Sequence, residues 1–255
     1  MHKKLAVLFL FALISMPFLG MLYSPSIPFK PNFPGIQSFS ARQQAFVIFM
    51  IPKINYSNAE ILTTRAQIKN LASLFQETGS LTYTDHSWLN EIADVYQVSH
   101  FNIANPESLT ELLNRVDEVP SSLVLAQAAN ESGWGTSRFA VQADNFFGQH
   151  CNVPGCGIIP LGRTDGEGFE VQSFPTVQSS IDNYLYNLNT NPSYANFRAM
   201  RAELRAQNEP LVGFRLAPFL TNYSILGGQY SVIISSIIIN HNLMQYDALQ
   251  NSASN

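Results

Sequence analysis

Apolar residues recur at helical spacing through most of the chain. Between residues 58 and 75, for example, Ile61, Ile68 and Leu71 are seven and three positions apart, which places them on one face of a helix. The same kind of pattern predicts helices over 42–51, 58–75, 85–96, 106–113, 181–188, 194–206 and 229–244, with a further helix from residue 121.

Prolines and capping residues set the predicted helix ends. Pro52 is expected to close the first helix, because a proline in a helix interior removes a backbone hydrogen bond. Asp85 is a candidate N-cap, and Asn105 with Pro106 at the first helical position opens the following helix. The helix over 229–244 is apolar on nearly every side, which is typical of a helix buried in the core.

One stretch, residues 152–174, has a different character. Its glycines and prolines exclude a long helix, and residues 158–161 and 169–174 can pair as a hairpin across the 162–168 loop. The predicted fold class is therefore mainly α (α+β): a helical domain with a small β-hairpin lobe and a groove between the two lobes.

The N-terminus has the form of a targeting segment. Two lysines precede an apolar run over 5–22, and Pro17 argues against a buried core helix. We expect export to the periplasm, with this run acting as a signal peptide or as an inner-membrane anchor. The predicted organisation is a signal peptide or anchor (1–23), a Pro-rich tether (24–40), a helical extension (41–117), the main domain (118–247) and a tail (248–255).

Composition narrows the function classes. Of 255 residues, 46% are apolar and only 13% charged, which excludes a disordered or coiled-coil protein. A net charge of −4 argues against nucleic acid as a partner. Cys151 and Cys156, five positions apart in an exported chain, are expected to form a disulfide. The five histidines have no paired ligand spacing, so we predict neither a metal site nor a cofactor.

Glu131 is the candidate for acid–base chemistry. It ends a helix rich in alanine and leucine, and Gly133 and Gly135 follow it closely. Glycines there would let a substrate approach the backbone, and burial beside Trp134 would raise the pKa of the carboxyl group, as a general acid requires. The plainer interpretation is that Glu131 simply lies near a helix end.

Amide and aromatic residues elsewhere are suited to binding sugar. Aromatic rings stack on the apolar face of a pyranose, and amides bind its hydroxyl and acetamido groups. The candidate substrate-binding residues are Trp134, Asn145, Phe147, Gly148, Tyr194 and Tyr230.

These motifs together resemble a known family. The segment from about 119 to 240 is similar to the glucosaminidase domains of glycoside hydrolase family 73, in particular to the Bax-type group. The strings that carry the resemblance are Pro120–Ala140, Asn145–Gly148, Cys151–Gly157, Asn187–Tyr194 and Tyr223–Tyr230. The resemblance implies a lysozyme-like fold and cleavage of peptidoglycan after N-acetylglucosamine.

The resemblance also implies roles for particular residues. Glu131 would be the general acid, and a second carboxylate would lie on the hairpin lobe, where Asp165, Glu167 and Glu170 are the candidates. We prefer Glu170, because it begins the strand that continues to residue 174, with Glu167 close behind. Tyr223 would assist at the anomeric centre, its alternative being a packed core tyrosine.

The resulting hypothesis is an exported endo-β-N-acetylglucosaminidase that acts on the glycan strand of peptidoglycan. A lytic transglycosylase with the same groove and a non-catalytic glycan-binding protein are the alternatives. Two carboxylates about 5 Å apart would favour a retaining route, and about 6.5–9.5 Å an inverting one. A third route uses the acetamido oxygen of the substrate as the nucleophile.

Overall fold

The computed structural model describes residues 29–163 and 168–247. Within these ranges the helices are α1 (Phe39–Thr78), α2 (Tyr83–Val95), α3 (Pro106–Arg115), α4 (Ser121–Ser132), α5 (Arg138–Ala143), α6 (Val177–Thr190), α7 (Ala195–Ala206), α8 (Gly213–Leu216) and α9 (Gly228–Asn240). The strands are β1 (His150–Cys151), β2 (Gly157–Ile158) and β3 (Glu170–Gln172). Short 3-10 helices lie at Phe33–Gly35, Pro192–Tyr194 and Ala217–Phe219. The prediction of a mainly α fold with a small β lobe is confirmed.

Helix α1 is far longer than predicted, because it runs through Pro52 without a break. The proline leaves the carbonyl of Ile48, four residues earlier, without its usual intrahelical donor. Both Pro52 and Ile48 are exposed, so water can satisfy that carbonyl. The predicted helices over 42–51 and 58–75 are therefore one helix, which ends at Gly79 in a left-handed conformation.

Helix α1 takes part in two separate hydrophobic cores. Phe46, Met50 and Ile54 in its first half belong to the main core, together with residues of α4, α6 and α9. Ile68 and Ala72 in its second half belong to a smaller core with α2 and α3. The extension predicted over 41–117 thus shares its first helix with the main domain.

The described part of the Pro-rich tether differs from the extended spacer that its prolines predict. Phe33 is only 1% exposed, and its ring lies 5.7 Å from that of Phe46. The same ring covers Gly135, where any side chain would collide with it. Lys30 forms an ion pair with Asp144. Phe33 and Lys30 therefore anchor the described part of the tether on the domain. The predicted targeting segment and the tail at 248–255 lie outside the described residues.

Helix α4 is the central element of the main core. Most of its side chains are small or apolar and are buried on every face of the helix, which lets neighbouring helices approach closely. Asp247 lies at its N-terminus: Oδ1 accepts the Ser122 backbone N–H at 2.8 Å, and Oδ2 accepts the Ser122 hydroxyl at 2.6 Å. A carboxylate at this end is stabilised by the helix dipole and by unpaired amides. Helix α4 is consequently a rigid support for the side chains at its C-terminal end.

A cluster of buried charges, the ion cluster, joins α1 and α7 to the segment before α4. Its members are Arg65, Asp117, Glu118, Arg201 and Arg205. Arg205 Nη2 lies 2.9 Å from Asp117 and 2.7 Å from Glu118. Burial alone would raise the pKa of Asp117, but Arg201, Arg65 and Arg205 outweigh burial and hold that pKa below its ordinary value. For Glu118 burial prevails, and its pKa is raised.

The β lobe is a three-stranded antiparallel sheet in the order β1-β3-β2. Ile158 pairs with Val171, which agrees with the predicted hairpin, and β1 adds a third strand through the pair His150 and Val171. The predicted disulfide between Cys151 and Cys156 is present and closes the turn between β1 and β2.

Four further details concern the helices. The N-cap of α2 is Thr82, whose hydroxyl accepts the Asp85 N–H at 3.2 Å, so the predicted cap at Asp85 is wrong by one turn. Asn105 caps α3 as predicted. Helix α9 buries Ile234 and Ile238 but leaves Val232 66% exposed, so it is half-buried and not a core helix. Among the described residues, no helix is both long and apolar enough to cross a membrane.

Candidate active site

Glu131 lies in the last turn of α4, as predicted. The helix ends at Gly133, which adopts a left-handed conformation and whose N–H bonds the carbonyl of Ala129. Gly135 also has a positive φ and packs against Phe33. The two glycines therefore shape the helix end and the packing behind it, in contrast to the substrate approach expected of them.

A directed series of hydrogen bonds, the Glu131 chain, leads to this carboxylate through the core. Tyr184 Oη donates to Gln127 Oε1, Gln127 Nε2 donates to Tyr230 Oη at 2.8 Å, and Tyr230 Oη donates to Glu131 Oε1 at 2.9 Å. Asn130 Nδ2 adds a second donor to Oε1 at 3.0 Å. Because Oε1 accepts two hydrogen bonds, its position is fixed.

The tyrosines around Glu131 are held neutral. Burial raises the pKa of Tyr184 and of Tyr223 well above the ordinary value. Burial and the Glu131 carboxylate together raise the pKa of Tyr230. All three phenols keep their protons at physiological pH and serve as donors.

The other oxygen of Glu131 faces Gly148. A Cβ placed on Gly148 would lie 3.8 Å from Oε2, and Gly148 is exposed with a positive φ of 69°. Among the described residues, Oε2 has no hydrogen-bond donor. The site thus presents one carboxylate oxygen to solvent beside bare backbone, which lets a bulky ligand approach closely.

Tyr223 holds the backbone next to Gly148. Its hydroxyl donates to the carbonyl of Phe147 at 2.8 Å, and its ring stacks on Tyr230 with centroids 5.4 Å apart. The Phe147 ring in turn stacks on Tyr184 at 4.1 Å. Tyr223 therefore connects the loop over 144–149, between α5 and β1 and called the Gly148 loop below, to the Glu131 chain.

Three predicted substrate-binding residues lie within this aromatic packing, and one of them is Phe147, which is buried against Tyr184. Tyr230 is only 1% exposed and lies behind Glu131, where it supports the carboxylate. Tyr194 is buried with its ring 6.2 Å from that of Tyr223. Their contacts are with the protein.

Asn145 is fully engaged with the protein as well. Its Oδ1 accepts the N–H groups of Phe147 and Gln149, both at 3.2 Å. Its Nδ2 donates to the carbonyls of Gln149 and Gln172, both at 2.9 Å. The buried amide binds the Gly148 loop to β3, so its groups are not open to a substrate.

Trp134 lies apart from these residues. Its ring packs against Phe46 at 5.5 Å and against His241 at 4.9 Å, and it belongs to the main core. The structure does not bring this ring together with the groups that surround the Glu131 carboxylate.

Glu170 has a clear partner set on the β lobe. It is 7% exposed; Oε1 accepts the N–H of Gly155 at 3.0 Å and Oε2 accepts that of Gly157 at 2.8 Å. These backbone donors hold the pKa of Glu170 below its ordinary value. Its carboxylate orders the turn that the disulfide closes. The other hairpin candidates, Asp165 and Glu167, lie outside the described residues.

Cys151, Cys156 and Glu170 form a group of metal-ligand types among the described residues. The two sulfurs are bonded to each other, which removes both thiolates. Both oxygens of Glu170 already accept backbone N–H groups. The donor set as built does not fit a metal ion.

Sequence reasoning missed two members of the site, Gln127 and Asn130. Gln127 lies one helical turn before Glu131 and is an amide within an otherwise apolar run. A buried polar group needs a partner, so its position was a signal for a hydrogen-bonded network.

Similarity to known sequences places the chain in a class of glycosidases. Residues 107–223 match the glucosaminidase family model, described as mannosyl-glycoprotein endo-beta-N-acetylglucosaminidase. Protein bax of Escherichia coli (strain K12) is 33% identical over 208 residues, which cover 82% of this chain and 72% of that protein. The chain belongs to this glucosaminidase family, and its main domain is a glycoside hydrolase domain.

A solved structure is also similar to this chain. It is the catalytic domain of the autolysin Auto from Listeria monocytogenes, with a TM-score of 0.38 and 18% identity. The match covers 70% of this chain and 96% of that one.

Proposed function

We propose that this chain is an exported peptidoglycan hydrolase that cleaves the β-1,4 bond after N-acetylglucosamine, with Glu131 as the general acid. One observation carries the proposal: Oε1 of Glu131 is fixed by Tyr230 and Asn130, while Oε2 lies open beside Gly148. Membership of the glucosaminidase family supports the choice of a glycan as substrate.

The two oxygens of Glu131 have different roles in this proposal. Oε1 accepts two hydrogen bonds, so the acidic proton resides on Oε2. As the bond from C1 to the leaving oxygen breaks, its electron pair stays on that oxygen, which takes the Oε2 proton. Gly148, with no side chain, leaves room for a sugar ring beside that proton.

Glu170 supports the β lobe in this proposal, because its carboxylate is already bound to Gly155 and Gly157. The attack on C1 then comes from the acetamido oxygen of the substrate, or from water activated by Asp165 or Glu167. Retained configuration in the first product, measured by NMR and unchanged in Glu167→Gln and Asp165→Asn, supports the acetamido route. Inverted configuration together with loss of turnover in Glu167→Gln or Asp165→Asn supports the water route.

The central test uses purified sacculi and the Glu131→Gln variant. Loss of the general acid should lower kcat about 100- to 10,000-fold, while the melting temperature stays close to that of the wild type. Glu60→Gln, which changes an exposed glutamate on α1, is the matched control and should keep wild-type activity.

The products decide among the three functions. Reducing N-acetylglucosamine ends in the mass spectrum support the proposed hydrolase. Anhydro-muramyl ends would instead identify a lytic transglycosylase. Glycan binding by both wild type and Glu131→Gln, with no cleavage by either, would identify a non-catalytic binding protein.

Export is part of the proposal and rests on the lysine-flanked apolar run over 5–22. Cell fractionation should find the chain in the periplasm or on the inner membrane. The N-terminal sequence of the mature protein then distinguishes a cleaved signal from a retained anchor, and a cytoplasmic location contradicts the proposal.

A further inference from the structure

A cavity of about 430 Å³ opens next to the candidate active site. Its wall includes Gln149, which directly follows Gly148, so the cavity begins one residue from the backbone that faces Glu131. The volume is within the range of sites that hold small ligands, roughly 300–1,000 Å³. The position and the volume of the cavity therefore suit one part of a ligand that also extends past the Glu131 carboxylate.

The lining of this cavity is rich in amides. The side chains that matter most are Gln97, Gln149, Asn183, Tyr186, Asn187 and Asn191. No Lys, Arg, Asp or Glu is among the described residues that line it. Amide walls without ionic groups match a neutral ligand that carries hydroxyl and acetamido groups, and they match poorly a peptide that carries free carboxylates or ammonium groups.

Two of these amides have unused hydrogen-bonding capacity. Gln97 Nε2 donates to Tyr186 Oη at 2.9 Å, which leaves Gln97 Oε1 without a donor among the described residues. The half-buried Asn183 side chain makes no hydrogen bond within the described part of the chain. By contrast, Gln149 is held by Ser180 on both of its side-chain atoms. Gln97 and Asn183 are thus the groups that can bind a ligand.

Gln97 comes from the helical extension and occupies an unusual backbone position. It follows α2 with φ +59°, a left-handed conformation that glycine adopts without cost. The turn itself depends on backbone bonds, from Gln97 N to Asp94 and from Val98 N to Ala93. A glycine would make the same turn, so what the glutamine adds is its side chain, which reaches across to Tyr186 on α6.

We propose that this cavity is a glycan subsite for an N-acetylated sugar, and that the helical extension supplies one wall of it through Gln97. The inference rests on the proposed function, because the sugar belongs to the same strand that Glu131 would cleave. The helical extension then takes part in substrate binding. Only a glycan long enough to reach the cavity gains this contact, so long glycans are bound better than short ones.

The test compares Gln97→Gly with His100→Gly in the full chain. Both residues are exposed, belong to the extension and have a positive φ, so glycine suits both backbones, but His100 does not line the cavity. For Gln97→Gly, the ratio of kcat/KM on chitohexaose to that on chitotriose should fall about three- to tenfold, the effect of losing one or two neutral hydrogen bonds. Asn183→Ala should behave in the same way, and His100→Gly should keep the wild-type ratio.

A binding measurement separates failure of this inference from failure of the proposed function. Calorimetry with chitohexaose is performed on Glu131→Gln, with and without Gln97→Gly, and a three- to tenfold weaker Kd is expected for the double variant. If wild type cleaves no glycan yet binding depends on Gln97, the subsite stands and the hydrolase proposal fails. If wild type cleaves but Gln97→Gly matches His100→Gly in ratio and in Kd, the subsite is overturned. Absence of both cleavage and binding overturns both.

Discussion

Two buried polar networks in this fold differ in how they end. The ion cluster around Asp117 brings together carboxylates and guanidinium groups, and Arg205 bonds both Asp117 and Glu118. The Glu131 chain contains only neutral donors, and it ends on a carboxylate whose second oxygen faces open space beside Gly148.

We propose that the first network serves stability and that the second serves the reaction. Charges removed from water must be compensated, and in the ion cluster guanidinium groups face the carboxylates, with Glu118 Oε2 as the one buried carboxylate oxygen there that has no hydrogen-bond partner among the described residues. Neutral phenols and an amide can fix one oxygen of Glu131 without supplying a charge that would pair with it. The first network joins helices, whereas the second orients a group that remains available for reaction.

The largest effect is expected from breaking the ion cluster. Asp117→Asn leaves Arg201 buried with less compensation and should reduce the free energy of unfolding by about 3–5 kcal/mol. Urea denaturation measures this loss, and Asp94→Asn, at an exposed position, is the control.

The same variant has a pH signature. Because the pKa of Asp117 is lowered in the folded protein, its stabilisation is present above the unfolded-state pKa and is lost as the pH falls through the folded value. Asp117→Asn should remove this contribution to acid unfolding. If Asp117→Asn still folds and binds substrate as the wild type does but has a lower kcat, the ion cluster also acts in the reaction. That result would contradict the division of roles between the two networks.

The next largest effect is expected from the last donor of the Glu131 chain. Tyr230→Phe removes the hydrogen bond to Oε1 and should lower kcat about 10- to 100-fold with little change in KM, because Glu131 becomes a charged carboxylate as it releases its proton and this bond then stabilises the charge. Steady-state kinetics on chitooligosaccharides measures both constants. Tyr246→Phe, a half-buried tyrosine at the edge of the main core, is the control. A defect confined to KM would mean that Tyr230 acts only in binding.

A smaller effect is expected at Tyr223. Tyr223→Phe keeps the ring that stacks on Tyr230 but loses the hydrogen bond to the Phe147 carbonyl. Turnover should fall about three- to tenfold without much loss of binding, because the Gly148 loop is held less firmly. If weaker binding accounts for the whole defect, Tyr223 only holds the substrate.

The smallest effect on the whole fold is expected at the β lobe. Since backbone donors lower the pKa of Glu170, the order it gives to the turn is present above its unfolded-state pKa and is lost as the pH falls through the folded value. Hydrogen exchange should report faster opening of residues 151–157 in acid and, in Glu170→Gln, already at neutral pH.

Reduction of Cys151 and Cys156 should loosen the same turn and lower the free energy of unfolding by about 2 kcal/mol at most, because the closed loop is short. A large drop in melting temperature with unchanged activity would contradict this local role.

The sequence predicts the parts of this molecule that depend on neighbours along the chain. The end of α4 at Glu131, the cap at Asn105 and the Cys151–Cys156 disulfide are of this kind. Each depends on a cap, a turn or a spacing of a few residues.

The features that the sequence did not predict depend on distant partners. Whether Pro52 ends a helix depends on which face meets solvent, and the burial of Phe33 depends on Gly135, about a hundred positions away. The same holds for Asn145 and Tyr230. Their amide and hydroxyl groups suit sugar equally well, and only the tertiary contacts direct them to the protein.

The long helix α1 has a consequence for the order in which the chain folds. Phe46 and Met50 pack in the main core with residues of α4 and α9, which are synthesised much later. Until those helices are made, the apolar face of α1 has no partner from the main core. Such long-range contacts slow folding and expose apolar surface meanwhile. A fragment that starts at residue 107, where the family match begins, would lack α1 altogether. The main-core side chains that pack against Phe46 and Met50 would then be exposed to solvent.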